Sequence, residues 1–209
     1  MGRLQRQHPT RRSRLHRGGR RMSGSITAAL ASQPNAGKST VFNMLTGARQ
    51  HVANYPGVTV EKKTGAYSYD GTKVELVDLP GTYSLTSYSL EERVAREFLL
   101  TEKPSPVVNV IDASNLKRHL NLTFQLLEMG RPVVIALNMM DVAENRGMEI
   151  DTAKLSQLLS VPVVPTIGKK SQGKKELKEA VAQTGRNGSG GPAFRFDYGE
   201  LEPSMQRSS

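Results

Sequence analysis

Two kinds of segment alternate along this chain of 209 residues. Some are short and apolar throughout, which is the pattern of a strand buried on both faces. Such strands are predicted at residues 26–31, 107–111, 132–137 and 161–164. The others show helical spacing or a helix-start signal, and they predict helices at residues 38–46, 89–102, 116–129, 152–159 and 174–183. This alternation predicts an α/β fold with a mostly parallel sheet and helices on both faces.

A further pair of strands surrounds Asp70-Gly71, a dipeptide that is typical of two-residue hairpins. It predicts antiparallel strands at residues 64–69 and 73–77, so that the complete sheet has six strands, of which one is antiparallel. Residues 51–59 are predicted to form a polar loop instead, because they contain an Asn-Tyr-Pro-Gly turn.

The basic charge is concentrated at the start of the chain. The formal net charge is +10, and residues 1–21 hold eight arginines and no acidic residue. Without them, 21 basic residues face 19 acidic ones, so the remainder is close to neutral. Residues 1–24 are therefore predicted to form a disordered Arg-rich leader, and residues 25–183 the folded domain. Residues 184–209 are expected to be a linker and a tail too short for a domain.

The composition excludes several kinds of chemistry. The chain has no Cys, so it has no disulfide, no thiolate metal site and no Cys nucleophile. Its longest apolar runs have the length of a strand and fall short of the roughly 18–20 residues that a bilayer span needs. We therefore expect a soluble unit. His51 and His119 have no partner at metal-ligand spacing, so they are interpreted as surface or packing residues.

The turn after the first predicted strand fits the phosphate-binding pattern G-x-x-x-x-G-K-[ST] at seven of eight positions, the exception being Ser32. The candidate nucleotide-binding residues are Ser32, Gln33, Pro34, Asn35, Ala36, Gly37, Lys38, Ser39 and Thr40. Backbone N–H groups at the helix start would surround the phosphates, and Gly37 lets the backbone close on the anion. Lys38 would reach the β- and γ-phosphates, while the Ser39 hydroxyl would ligate Mg²⁺.

A second motif, Asp78-Leu79-Pro80-Gly81, stands at the end of the strand predicted at residues 73–77. The Asp78 carboxylate is expected to hold Mg²⁺ through water, and the Gly81 N–H is expected to meet a γ-phosphate. Taken alone, Asp-x-Pro-Gly is equally a common turn. The interpretation of this motif as a Mg²⁺ and γ-phosphate site therefore depends on the phosphate-binding pattern upstream.

The third motif, Asn138-Met139-Met140-Asp141, follows the strand predicted at residues 132–137. A carboxylate here is able to accept two hydrogen bonds from the N1–H and N2–H₂ groups of guanine, a pattern that adenine does not offer. All three motifs end predicted strands, and ligands of open α/β sheets bind at that edge. Together they predict a P-loop GTPase fold, or G domain, with GTP or GDP and Mg²⁺ as ligands.

Several runs make the sequence similar to one family in particular. They are residues 34–40, 45–50, 54–62, 78–85 and 138–141. These runs resemble the G domain of FeoB, the bacterial ferrous iron transport protein B, and the Asn-Tyr-Pro-Gly-Val-Thr run is specific among GTPases. The resemblance covers roughly residues 25–183. Residues 194–200 resemble the approach to the helical regulatory domain of that family, so residues 184–209 are expected to hold its truncated start.

The resemblance implies a switch in the loop around residues 52–62. Thr59 would be the switch threonine, whose hydroxyl reaches Mg²⁺ only when a γ-phosphate is bound. Hydrolysis would then release the loop. The neighbouring residues that would line the nucleotide are Gly57, Val58, Val60 and Glu61.

By the same resemblance, Asn35 matches the asparagine that binds K⁺ in FeoB and related GTPases. The residue after Gly81 is Thr82, so the glutamine that orients water in Ras-like enzymes is absent from its usual place. A monovalent cation at Asn35 would neutralise charge between the phosphates. We therefore expect a slow, K⁺-stimulated hydrolysis of GTP to GDP and phosphate, with Asn35, Lys38, Thr59 and Gly81 as catalytic residues.

The sequence departs from the family pattern in two places. The family's turn begins Gly-Asn-Pro-Asn, whereas this chain has Ser-Gln-Pro-Asn from Ser32 onward. If position 32 needs a glycine-only conformation, a serine costs about 1–3 kcal/mol and weakens nucleotide binding. The last guanine-contacting loop often contains Ser-Ala in related GTPases. That pair is missing here, so the contact is placed only loosely at Thr166 and Ile167.

The implied partners are a membrane permease domain and a helical regulatory domain, neither of which is expected in this chain. The implied location is the cytoplasmic face of the bacterial inner membrane, and the implied role is ferrous iron transport, although the sequence offers no Glu/His cluster as an iron site. Two alternatives stay open. One is an RNA- or ribosome-associated GTPase that uses residues 1–21 on nucleic acid. The other is a nucleotide-impaired remnant, because of Ser32.

Overall fold

The computed structural model describes residues 24–47, 50–86 and 88–188. The strands are β1 (Ser25–Ser32), β2 (Gln50–Asn54), β3 (Glu61–Tyr69), β4 (Thr72–Asp78), β5 (Val107–Asp112), β6 (Val133–Asn138) and β7 (Val163–Pro165). The helices are α1 (Lys38–Thr46), α2 (Leu90–Thr101), α3 (Leu116–Glu128), α4 (Met140–Asn145), α5 (Thr152–Leu159) and α6 (Lys174–Asn187). The leader predicted at residues 1–24 lies outside these ranges except for its last residue, as does the tail beyond residue 188.

The strands form one sheet in the order β2-β3-β4-β1-β5-β6-β7. Every pairing from β4 to β7 is parallel, and β3 runs antiparallel to both of its neighbours. The predicted α/β class, with a mostly parallel sheet and one antiparallel strand, is therefore confirmed. The predicted number of six strands is wrong, because β2 forms where a polar loop was expected. All five residues of β2 are exposed, so this edge strand has no apolar pattern to reveal it.

Helices cover both faces of the sheet. In β1, the side chains of Ala28 and Leu30 pack in a cluster with α1 and α6. The alternate residues Ala29 and Ala31 pack in a second cluster with α2 and α3. Because successive residues of a strand point to opposite faces, β1 contributes to both layers through residues 28–31, which are all apolar and buried. The sheet is thus held rigidly from both sides, which fixes the loops at its carboxyl edge.

Local signals in the sequence account for most element boundaries. Asp70 and Gly71 form the β3–β4 turn with φ values of 45° and 74°, as two-residue hairpins require. The Ser89 side chain accepts a hydrogen bond from the Glu92 N–H at 3.1 Å, and α2 begins at the next residue, Leu90.

One helix was not predicted, and another extends beyond its predicted end. Helix α4 is a short helix with no apolar period, and it follows β6 after a single residue, Met139. Helix α6 continues to Asn187, past its predicted end at residue 183, so residues 184–187, which were predicted to belong to a linker, are helical. Its last turn packs on the sheet, where Gly185 lies against Ile26 and Arg186 donates to the Thr72 hydroxyl at 3.3 Å. Within the described ranges, no helix is long and apolar enough to cross a membrane.

Candidate functional site

The turn between β1 and α1 presents backbone N–H groups at the start of a nine-residue helix. Gly37 has φ 81°, and no side chain caps the helix. The exposed Asn35 also adopts a left-handed conformation, with φ 66°. Uncapped N–H groups and the helix dipole make such a helix start suited to a phosphate group.

Ser32 is the last residue of β1 and is buried, with 2% of its surface exposed. It pairs with Val110 of β5 in the parallel ladder, and it is not among the described residues with positive φ. A serine therefore fits this position without the backbone strain that was considered for it. The departure from glycine therefore requires no left-handed backbone at position 32.

Lys38, the first residue of α1, forms an ion pair with Asp78 at the end of β4. Both side chains are mostly buried, with 14% and 12% of their surfaces exposed. Burial raises the pKa of the Asp78 carboxyl, and the nearby Lys38 ammonium opposes that rise. The fold thus brings the lysine of the first motif and the carboxylate of the second together.

The residues after Asp78 lie against the phosphate-binding turn. The Thr82 N–H donates to the Ser32 carbonyl oxygen at 3.0 Å, and the space beside Gly81 is bounded by Pro34 at 3.9 Å. Leu79 is buried and donates to the Leu30 carbonyl at 2.9 Å. Gly81 is therefore at the edge where a terminal phosphate on the turn would lie.

The predicted switch residues occupy the turn between β2 and β3. Tyr55 donates from its backbone N–H to the Val60 carbonyl at 2.9 Å, which closes this turn. Thr59 is exposed, and among the described residues no hydrogen bond joins it to Lys38 or Asp78. Gly57, Val58, Val60 and Glu61 lie in the same turn or at the start of β3. The contact of this group with the nucleotide stays a prediction.

Tyr55 connects the β2–β3 turn to the second motif, and the sequence did not single it out. Its hydroxyl donates to the Asp78 carbonyl oxygen at 3.1 Å, and its ring meets the Phe98 ring edge-on at 6.1 Å. The Lys62 ammonium lies over the Tyr55 ring at 5.7 Å. The only signal for Tyr55 was its place inside the Asn-Tyr-Pro-Gly run.

Asn138, the last residue of β6, joins three loops. Its Nδ2 donates to the Ala36 carbonyl oxygen at 3.0 Å. Its Oδ1 accepts from the Gly168 N–H at 2.9 Å and from the Thr166 hydroxyl at 3.3 Å. The side chain is buried and has a partner for each of its two polar atoms. It therefore fixes the phosphate-binding turn relative to the loop after β7.

A cavity of about 100 Å³ lies beside Asn138 at this edge. It is lined by Gly37, Thr40, Asn138, Met139, Asp141, Val142, Ile167, Gly168 and Lys169. Asp141 is on the first turn of α4, and its carboxylate is 3.6 Å from the Lys170 ammonium. The predicted residue Ile167 lines the cavity, while Thr166 lies behind it as a partner of Asn138. Met140 belongs to α4 and contacts the Thr166 carbonyl through its N–H at 3.4 Å.

Sequence reasoning missed Val142, Gly168 and Lys169 in this cavity. A Cβ at Gly168 would lie 3.1 Å from Thr40 Cγ2 and 3.4 Å from Asn138 Oδ1, so the loop approaches the phosphate-binding helix closely there. A glycine directly after the two predicted residues was the available signal.

A phosphate-binding turn, a carboxylate at the end of β4 and an Asn-x-x-Asp motif at the end of β6 define a P-loop nucleotide-binding domain of the GTPase type. The comparisons with known proteins agree. The family model described as ferrous iron transport protein B matches residues 26–181, and the chain belongs to this family.

Similar proteins of several organisms carry the same family name. The Fe(2+) transport protein A/Fe(2+) transporter FeoB fusion protein of Porphyromonas gingivalis is 48% identical over 185 residues, which are 87% of this chain and 22% of that protein. The FeoB G domain from Methanococcus jannaschii is 47% identical with a TM-score of 0.70 and covers 78% of this chain and 99% of its own. The cytosolic domain of T. maritima FeoB in a GDP form is 41% identical with a TM-score of 0.83. This match covers 88% of this chain and 72% of that domain. This chain spans about a fifth of the length of the curated relatives.

Proposed function

We propose that this chain binds GTP and GDP, hydrolyses GTP to GDP and phosphate, and acts as a nucleotide-controlled switch of a ferrous iron transporter. The observation that carries the proposal is the position of Asn138, which holds the phosphate-binding turn and the cavity beside Asp141 in one fixed arrangement. A nucleotide that spans this edge places its phosphates on α1 and its base near Asp141. Relatives described as GDP-bound FeoB domains support the same ligand.

The phosphate side of the site has the groups that would bind the phosphates of a nucleoside triphosphate. Lys38 is positioned to exchange its contact with Asp78 for the β- and γ-phosphates, since its ammonium already lies at the start of α1. The Asp78 carboxylate and the Ser39 hydroxyl offer oxygen ligands, which are the kind that Mg²⁺ prefers. Mg²⁺, when bound, neutralises charge on the β- and γ-phosphates. Thr59 would join this set from the β2–β3 turn after that turn rearranges.

The base side of the site favours guanine over adenine. The Asp141 carboxylate is partly exposed at the cavity mouth and accepts hydrogen bonds, whereas adenine would present no donor pair to it. Thr166 and Gly168 are already held by Asn138, and Ile167 between them supplies an apolar wall. Selectivity would therefore come from Asp141, and the neighbouring groups would set its position.

Hydrolysis is expected to be slow and stimulated by K⁺. Thr82 is buried, so its side chain is not available to orient water. Its N–H donates to the Ser32 carbonyl oxygen. Asn35 is exposed on the phosphate-binding turn, and its carboxamide oxygen is a suitable ligand for a monovalent cation. Such a cation would take over charge neutralisation next to the phosphates.

The transporter role would require partners that the described residues do not include. Because the curated relatives are about four times as long as this chain, we propose that a membrane permease domain and a helical regulatory domain respond to the nucleotide state. The domain would then work at the cytoplasmic face of the bacterial inner membrane. The RNA-associated alternative depends on the arginines of residues 1–21, which lie outside the described ranges.

The activity is tested by phosphate release from GTP in buffers that differ only in K⁺ or Na⁺. We expect release in both, faster in K⁺, with Lys38→Ala inactive and Asn35→Ala no longer responsive to K⁺. Lys175→Ala, on the exposed side of α6, is the matched control and should behave as the unsubstituted protein. Release no faster than that of Lys38→Ala would contradict the proposed activity. Equal rates in the two salts would contradict the K⁺ part alone.

A further inference from the structure

Gln33 follows the last residue of β1 and is nearly completely buried, with 3% of its surface exposed. Its Nε2 donates to the Arg118 carbonyl oxygen in the first turn of α3 at 2.9 Å and lies 3.5 Å from the Tyr83 carbonyl oxygen. Its Oε1 is buried, and no hydrogen-bond donor reaches it among the residues that the structure describes. One side chain of the phosphate-binding turn thus touches two other elements.

Residues 82–85, which follow Gly81, are held between the phosphate-binding turn and α3. The Thr82 N–H bonds the Ser32 carbonyl oxygen at 3.0 Å. From the other side, the Gln125 carboxamide oxygen accepts from the Leu85 N–H at 2.8 Å, and the Arg118 guanidinium lies 4.8 Å from the centre of the Tyr83 ring. Gln33 is the side chain that reaches the middle of this segment from the phosphate-binding turn.

We propose that Gln33 is a positioning residue that couples residues 82–85 to the phosphate-binding turn and so sets how well Gly81 meets the γ-phosphate. This inference rests on the proposed GTP binding. The Nε2 makes a short hydrogen bond to the Arg118 carbonyl oxygen and a long, weak one to the Tyr83 carbonyl oxygen. The bond to Tyr83 is therefore able to shorten when Gly81 and residues 82–85 move. The free Oε1 offers an acceptor to a backbone N–H of the same segment. Buried unsatisfied groups of this kind call for an explanation in function.

The length of the glutamine side chain is essential to this role. Asparagine is one methylene shorter and, from the same backbone position, would not reach the carbonyl oxygens of both Arg118 and Tyr83. Methionine has nearly the same length and volume as glutamine but neither donates nor leaves a carboxamide oxygen unpaired. Gln33→Met therefore removes the coupling while it keeps the packing.

The experiment compares the affinities of the full chain for GDP and for a non-hydrolysable GTP analogue in the presence of Mg²⁺. For Gln33→Met we expect GDP affinity within about twofold of the original, and analogue affinity and kcat lower by about three- to tenfold, as for one lost hydrogen bond. Gln33→Asn should also lower the affinity for the analogue and kcat. Gln183→Met, whose side chain bonds Glu179 on the exposed face of α6, is the matched control and should change neither affinity.

A purely structural role would lower both affinities together, or neither, and either result would overturn the inference. If the unsubstituted protein binds no GDP at all, the proposed function falls first and the inference with it. A second measurement uses the absence of Trp from the chain, which makes Tyr83→Trp a single fluorescent reporter on the segment. Its emission should differ between the GDP and analogue complexes, and Gln33→Met should remove that difference. A difference that persists unchanged would also contradict the coupling.

Discussion

Asn138 donates from its Nδ2 to the carbonyl oxygen of Ala36 at 3.0 Å, and this bond joins two loops that are 102 positions apart in the sequence. The Oδ1 of the same carboxamide holds the loop after β7 through Gly168. Because every polar atom of the side chain is used, Asn138 acts as a fixed spacer between the phosphate-binding turn and the base-side cavity.

Replacement of Asn138 by alanine should lower the affinity for GDP by about ten- to a hundredfold. The substitution leaves the Gly168 N–H and the Ala36 carbonyl without their partner, and each unsatisfied buried group costs about 1–3 kcal/mol. Calorimetric titration with GDP measures the effect, and thermal unfolding reports the loss of stability. Asn121→Ala, at an exposed position of α3, is the control, and an equal loss of affinity there would speak against this account.

Gly37→Ala should abolish nucleotide binding and destabilise the domain. A Cβ at this position would clash with the Asn138 carboxamide, and the backbone φ of 81° is strained for any L side chain. Gly130→Ala separates the two causes, because Gly130 has φ 65° but open space around its Cα. We expect Gly130→Ala to cost about 1 kcal/mol of stability and no GDP affinity. Similar GDP affinities of the two variants would show that the clash is unimportant.

Ser32→Gly should leave GDP affinity unchanged within about twofold, since the serine already fits its extended strand position. Stability should fall slightly, by about 0.5–1 kcal/mol, because glycine loses more conformational freedom when it enters a strand. Titration with GDP and chemical unfolding give the two quantities. A large gain in affinity on this substitution would mean that Ser32 impairs the site, as the remnant hypothesis holds.

The stability of the domain should depend on His119 at mildly acidic pH. Burial lowers the pKa of this imidazole below its usual value of 6.5, against the opposing charge of Asp112, and its Nδ1 has no partner within the described ranges. The unfolded chain then takes up the proton first, so stability is complete above pH 6.5 and is lost as the pH falls toward the lower folded-state pKa. His119→Gln should weaken this dependence. The test is to measure the unfolding temperatures of both proteins at about pH 7.5 and 5.5. An equal decrease in unfolding temperature for the two proteins would contradict the role of His119.

The elements that the sequence predicted are those with a local cause. Buried parallel strands such as β5 are apolar throughout, the Asp70-Gly71 turn needs left-handed residues, and the Ser89 cap starts α2 where it was expected. The edge strand β2 was not predictable in this way, because it is exposed on both faces and exists through its pairing with β3. Short α4 has too few residues to show a helical period.

The same distinction applies to the site. Lys38 and Asp78 were predictable because each belongs to a motif: Asp78 ends β4, Lys38 starts the helix that follows β1, and these two parallel strands share one edge. The bond from the Tyr55 hydroxyl to the Asp78 carbonyl and the bond from the Gly168 N–H to the Asn138 carboxamide oxygen depend on how distant loops fold back on that edge. No spacing of residues in the sequence predicts either hydrogen bond, so both are known only from the structure.

The central claim is that this edge of the sheet binds a guanine nucleotide. Titration of the full chain with GDP and, in parallel, with ADP in Mg²⁺ tests it most directly. We predict saturable binding of GDP and an affinity for ADP that is lower by about a hundredfold or more, because Asp141 would lose its donor pair. Equal affinities for the two nucleotides, or no binding of GDP, would contradict the account.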